Sequence, residues 1–260
     1  MGETPRRLFR REVDVEDGEA VASDGDWRPL VEGGAPGRDE VRVVRLPLDG
    51  SSEADHFAML SASERERAAR FVFQIHRRRF VAARASLRHV LGLCLDRDPA
   101  GLLFDYTDRG RPSLRLASHP DLDFNMAHCG DLALLAFSNR RVGIDVERLR
   151  EMPNALAIAR RFFSPREVAA LRRLAEDARR DAFFNAWTRK EALIKAVGAG
   201  LAALEETEVS LAPDEIPAVL SAPGGAEGWQ VFHLEPSPGF VGAAAVAAPP
   251  PFRLTTWCWP

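Results

Sequence analysis

The chain has 260 residues, 46% of them hydrophobic and 28% charged, with a net charge of −3 at pH 7. That composition suits a globular protein of one domain or two closely packed ones, and the slight negative balance gives no global reason to bind nucleic acid or an anionic membrane. Three cysteines without Cys-x-x-Cys spacing argue against a disulfide framework or a cysteine zinc site, and neither an apolar N-terminal segment nor a bilayer-length apolar run is present, so the expected address is cytoplasmic.

Residues 1–38 are rich in Gly, Asp, Glu and Arg and read as a mobile leader that buries too little to order itself. The folded body is expected to begin with a strand at Val41–Leu46. Ser61-Ala62-Ser63-Glu64 is a capping box and opens a helix. A second helix follows from about Arg77 to Leu95, and Asp108-Arg109-Gly110-Arg111-Pro112 marks a turn. Leu132–Phe137 reads as a buried strand, with Arg140-Arg141 as a hairpin turn into another strand at Val142–Val146. Ser164-Pro165-Arg166-Glu167 is a second capping box with Pro at the first helical position, predicting helix to about Ala178. A further helix runs from about Asp181 to Val197, stopped by Gly198. Strands at Val209–Leu211, Trp229–Leu234 and Phe240–Ala247 complete the body, and Pro249-Pro250-Pro251 leads into a short tail. Arg84–Gly92 echoes Lys190–Gly198, which suggests two related halves, 39–140 and 141–248, between the leader and a 249–260 tail.

Three carboxylates carry the chemistry. Asp145 and Glu147 are two residues apart in a β-branched run and project from one face of a strand. Glu191 and Lys195 are four apart and share a helix face. Two acids side by side on a buried strand repel each other unless a cation neutralises them, so convergence of strand and helix would make a hard-cation site with a phosphate-binding lysine beside it. An isolated acid pair of this kind can equally be a solvated strand end. Thr188 and Glu191 could form a capping box, but the helix has already begun upstream, which leaves Glu191 free for the groove. His128 sits in a glycine-ended loop where Gly130 permits close approach of a ligand. Arg111 is held by a rigid turn that would suit a phosphate. Arg77–Arg79 is a basic run that can be a solvated helix face or a nucleic-acid contact.

Taken in order, five stretches resemble the Sfp-type 4′-phosphopantetheinyl transferases: Gly110-Arg111-Pro112, Phe124–His128, Gly143–Glu147, Arg161-Phe162-Phe163-Ser164-x-x-Glu167, and Trp187-x-x-Lys190-Glu191-Ala192-x-x-Lys195. The resemblance spans about Val41 to Ala247. It implies an α+β fold of two similar subdomains, each an antiparallel sheet packed by helices, related by a pseudo-twofold with coenzyme A between them. It implies transfer of the phosphopantetheine arm of coenzyme A to a serine of a carrier protein, with release of 3′,5′-ADP. The acceptors it implies are apo acyl or peptidyl carrier domains of fatty-acid, polyketide or non-ribosomal peptide synthases. By position, Asp145, Glu147 and Glu191 would hold Mg²⁺, and Glu191, Lys195 and His128 would be catalytic. Arg67, Arg79, Arg111, Pro112, Ala127, His128, Asp145, Lys190 and Lys195 would line the coenzyme A site. Where the family often has Ser-His-Ser, this chain has Ala127-His128-Cys129, which removes a hydroxyl contact. A monomer that binds neither nucleic acid nor membrane is expected. Two other readings use the same residues: a Mg²⁺-dependent nucleotide phosphohydrolase, and a non-enzymatic nucleic-acid-binding module built on Arg77–Arg79.

Overall fold

The computed structural model describes residues 21–30, 33–50, 53–115, 121–249 and 252–259. In chain order the elements are β1 (Val21–Ala22), β2 (Arg28–Pro29), β3 (Glu40–Pro47), α1 (Glu53–Met59), α2 (Ala62–Ala69), α3 (Gln74–Leu95), β4 (Phe104–Tyr106), β5 (Pro112–Leu114), β6 (Asp123–Cys129), β7 (Leu132–Ser138), β8 (Val142–Arg148), α4 (Ala155–Phe162), α5 (Pro165–Arg173), α6 (Glu176–Val197), β9 (Glu208–Val209), β10 (Val219–Ser221), β11 (Trp229–Leu234), β12 (Phe240–Ala247) and β13 (Arg253–Cys258).

Two sheets account for most strands, one ordered β2-β13-β3-β7-β6 and the other β1-β11-β12-β8. Their inner faces meet in one apolar cluster, where Val41, Val43, Leu134 and Ala136 pack with Ile144, Val146, Phe232 and Ala244. Outside the first sheet, Val44, Leu46, Leu135 and Phe137 pack against Leu87 and Leu91 of α3. Outside the second, Val231, Ala243 and Ala245 pack against Ala192 and Ala196 of α6. β7 is buried along its whole length, which explains its unbroken apolar run. The result is an α+β body with each sheet backed by a 22-residue helix.

The two halves repeat a device. Ser61 and Ser164 each accept a hydrogen bond from the backbone N–H of the glutamate three residues on, and that glutamate's carboxylate returns to the serine N–H. Both glutamates are buried and both are bound by cations from the long helix. Arg84 and Arg88 reach Glu64, and Lys190 reaches Glu167 at 2.5 Å. α3 and α6 end on left-handed residues, Asp96 and Gly198. Aligning these ends sets Arg88 against Lys190, one helical turn from the echo expected from sequence.

Several expectations need correction. Residues 1–20 lie outside the described residues, but from Val21 onward the supposed leader is part of the fold. Val21 and Ala22 pair in parallel with His233 and Leu234, and Trp27 is buried between the sheets. The supposed tail contains β13, which lies between β2 and β3 and runs parallel to both. Pro250 and Pro251 lie outside the described residues. Arg140-Arg141 is no hairpin turn: β7 pairs with β3 and β6, while β8 pairs with β12, so the chain passes from one sheet to the other there. Helix does not continue to Ala178, because α5 stops at Arg173 and α6 starts at Glu176. The basic run is partly paired: Arg77 and Arg78 share Glu53, and Arg79 lies on Asp49, so two carboxylates offset two of its three charges. No helix among the described residues is long and apolar enough to cross a membrane.

Candidate active site

β6 and β8 are the edge strands of their respective sheets and run beside each other at the seam. An edge strand leaves backbone donors unpaired. Here side chains of β6 satisfy those of β8: Val142 N–H donates to Asp123 and Ile144 N–H to Asn125, both at 2.9 Å. Arg111 seals the same seam. Its guanidinium donates to Asp123 at 2.7 Å, to the carbonyls of Phe124 and Val142, and to the Lys195 carbonyl.

Gly143 sets the depth of the site. A Cβ there would stand 2.0 Å from the Ala192 carbonyl oxygen and 2.6 Å from the Ala196 nitrogen. Only glycine lets α6 press onto β8 this closely. Alternation along β8 then turns Asp145 and Glu147 to the α6 side, while Ile144 and Val146 fill the core between the sheets. On α6, Glu191 and Lys195 face the strand one turn apart. The Lys195 ammonium donates to Asp145 Oδ1 at 2.6 Å and to the Ile144 carbonyl at 3.3 Å.

The electrostatics follow from this crowding. Asp145 is 7% exposed, and its Oδ2 is buried with no hydrogen-bond partner. Burial raises the Asp145 carboxyl to about 7; Lys195 opposes the rise, while Glu191 and Glu147 add to it. Glu191 is also raised, by burial and by Glu147, against the pull of Lys195. Among the described residues no three His, Cys, Asp or Glu side chains stand close enough to enclose a metal by themselves. A hard divalent cation nevertheless suits the donors present: they are all carboxylates, and one of them is bare and buried. Mg²⁺ in particular is ordinarily held by one or two carboxylates, water and substrate phosphate, so an all-protein cage is not required.

His128 lies next to the end of β6 and not in the loop expected for it, and is exposed. Its pKa is lowered by the surrounding protein and by Lys195, Arg79 and His76, which places cations along this rim of the seam. Arg79 also pairs with Asp49 at 2.7 Å. Ala127 is buried in the core between the sheets. Pro112 stands opposite Tyr106 in the β4–β5 hairpin. Tyr106 in turn lines a cavity of about 530 Å³ with Arg67, Arg70, Arg84, Phe71 and Phe80. The structure does not bring Lys190 to the acids; it is 0% exposed and bound to Glu167. Arg111 reaches the site but spends its donors on the seam. Two neighbours of Glu147 went unread in the sequence. Arg150 lies 3.3 Å from Oε2, and the Cys129 thiol 3.7 Å from the same oxygen.

Carboxylates and a lysine gathered at the seam of two similar α+β halves form a donor set that suits a hard cation and an anionic ligand. Residues 141–246 match the model of the 4′-phosphopantetheinyl transferase superfamily, and residues 51–140 match that of the 4′-phosphopantetheinyl transferase N-terminal domain. The chain is 44% identical over 214 residues to the 4′-phosphopantetheinyl transferase HetI of a Nostoc species, an alignment covering 80% of this chain and 88% of that one. It is 30% identical over 155 residues to the 4′-phosphopantetheinyl transferase Sfp of Bacillus subtilis, covering 60% and 67% respectively. The chain belongs to the 4′-phosphopantetheinyl transferase superfamily.

Proposed function

We propose that this protein transfers the 4′-phosphopantetheine arm of coenzyme A to a serine of acyl or peptidyl carrier domains, as family membership and the chemistry of the seam support. The observation that carries the reading is Asp145, buried with a bare oxygen beside Glu147, Glu191 and the Lys195 ammonium. Asp145, Glu147 and Glu191 would hold Mg²⁺. When bound, that ion neutralises the diphosphate of coenzyme A and stabilises the charge of the leaving group.

The chain's own groups do the rest. Lys195 supplies positive charge beside the reacting phosphate, Arg79 extends it along the rim, and His128, its pKa lowered, offers an imidazole for hydrogen bonding there and not a charge. Arg67 offers a cation to the adenosine end at the Tyr106 cavity. Arg111 works from behind, fixing β6, β8 and α6 relative to one another. The carrier serine oxygen bonds to the phosphorus bearing the pantetheine arm, the phosphorus–oxygen bond to 3′,5′-ADP breaks, and the serine proton passes to Glu191 directly or through water. The protein would act as a cytoplasmic monomer on domains of fatty-acid, polyketide or non-ribosomal peptide synthases, its 39–140 half completed by β2 and β13 and its 141–248 half by β1.

Incubation with coenzyme A, Mg²⁺ and an apo carrier protein, read by mass spectrometry, tests this. The carrier should gain one phosphopantetheine arm, and Glu191→Gln should abolish the gain. Coenzyme A cleaved with no mass added to the carrier would make the protein a phosphohydrolase instead.

A further inference from the structure

Lys195 and a divalent cation want the same carboxylate. Asp145 cannot move to accommodate both. It is on a strand pinned to β12 along its whole length, under a helix that approaches to the limit Gly143 allows. Lys195 is the mobile partner, an ammonium on a flexible four-carbon stem with 32% of its side chain exposed. Its contacts are also substitutable: one oxygen of Asp145 and one strand carbonyl, both of which a phosphate oxygen can replace. Glu147 is held differently. Arg150 and Cys129 both approach Oε2 from outside the acid cluster, and neither touches Asp145.

Resting on the transferase reading above, we propose that Lys195 makes entry of the divalent cation conditional on the diphosphate: its ammonium holds Asp145 against a lone cation and moves onto an anionic diphosphate when one arrives. Two positive charges this close repel strongly, so a lone divalent ion that approaches the bare Oδ2 meets a carboxylate already neutralised through Oδ1 and a like charge beside it. A diphosphate removes both obstacles at once, since it draws the ammonium off Asp145 and adds negative charge of its own. Lys195 is then a positioning residue before transfer and an electrostatic one during it. Metal and coenzyme A bind with strong positive coupling, and the coupling resides in one side chain.

The test is binding of Mn²⁺ alone, followed by electron paramagnetic resonance of the free ion, with no nucleotide present. Mildly alkaline buffer is used so that a proton does not replace the ammonium on Asp145. Lys195→Met should bind Mn²⁺ at least about tenfold more tightly than the parent protein, the order expected when a neighbouring like charge is removed. Lys195→Arg should show no such gain, and adding Asp145→Asn to Lys195→Met should abolish it. Equal or weaker binding by Lys195→Met would overturn the proposal. Circular dichroism checks that this variant is folded, and Lys195→Gln replaces it if it is not. Transfer by the parent protein is assayed separately. A parent that transfers while Lys195→Met gains no affinity sinks the coupling alone, whereas a parent that transfers nothing sinks the functional reading whatever the Mn²⁺ result.

Discussion

Gly143 carries more of the site than its lack of a side chain suggests. Adding a methyl 2.0 Å from the Ala192 carbonyl must push α6 off β8. Overpacking of this kind costs about 1–3 kcal/mol. Because Glu191 and Lys195 ride on that helix, Gly143→Ala should also lower transfer at temperatures where the variant remains folded. Gly25→Ala, which meets nothing within 4 Å, should be neutral on both counts in the same denaturation and transfer assays. Lys190 gives the opposite pattern. Removing one partner of a buried pair leaves an uncompensated charge, so Lys190→Met should destabilise by roughly 3–5 kcal/mol. Adding Glu167→Gln, whose one amide oxygen can still accept from the Ser164 N–H but not also from the Val209 N–H, should recover only part of the loss. Both variants should transfer at the parental rate while folded, since the ammonium lies on Glu167 and away from the acid cluster.

At the level of elements, each long helix is fastened by a buried glutamate at the start of a shorter one. Glu64 shows how this bears on pH. Burial alone would raise its pKa, but Arg84, the Ser61 N–H and Arg88 outweigh burial and bring it below the ordinary value of 4.5. A carboxyl depressed in the folded state adds stability that is complete above its unfolded pKa and lost as pH falls through the folded one. Stability of the parent should therefore fall as the solution is acidified below about pH 4.5, and Glu64→Gln should flatten that part of a pH–stability curve while being less stable at neutral pH. The capping boxes were legible in the sequence because they are local, four residues with a fixed hydrogen-bond pattern. So were β12, from Phe240 to Ala247, and the Gly198 stop of α6. The break at Leu174 and Ala175 was not, since neither Gly nor Pro marks it and both residues are compatible with helix. The acid cluster could be read from spacings of two and four once strand and helix were recognised. What Arg111 binds could not, because it depends on where the β4–β5 hairpin lands against α6.

For the whole molecule, the two ends of the described chain are exchanged between the halves. β1 extends the sheet of the C-terminal half, and β13 lies inside the sheet of the N-terminal half, where Thr255 donates to Glu40 at 2.6 Å and Leu254 packs into the shared core. Neither strand could be recognised beforehand, since each is short and finds its partner across most of the sequence. A chain stopped at Ala248 should strip β3 of a neighbour and leave β2 with none, and should lose its near-ultraviolet circular dichroism signal along with the Trp257 environment. A consequence follows for synthesis. The first sheet contains β2 and β3, both made early, yet needs residues 253–258 to close, so it cannot reach its final pairing while those residues are still inside the ribosome. The helices and the β6–β7 hairpin can form as they emerge, but β3 lacks one neighbour until residues 253–258 have left the ribosome, and during that interval its open edge is exposed to other nascent chains.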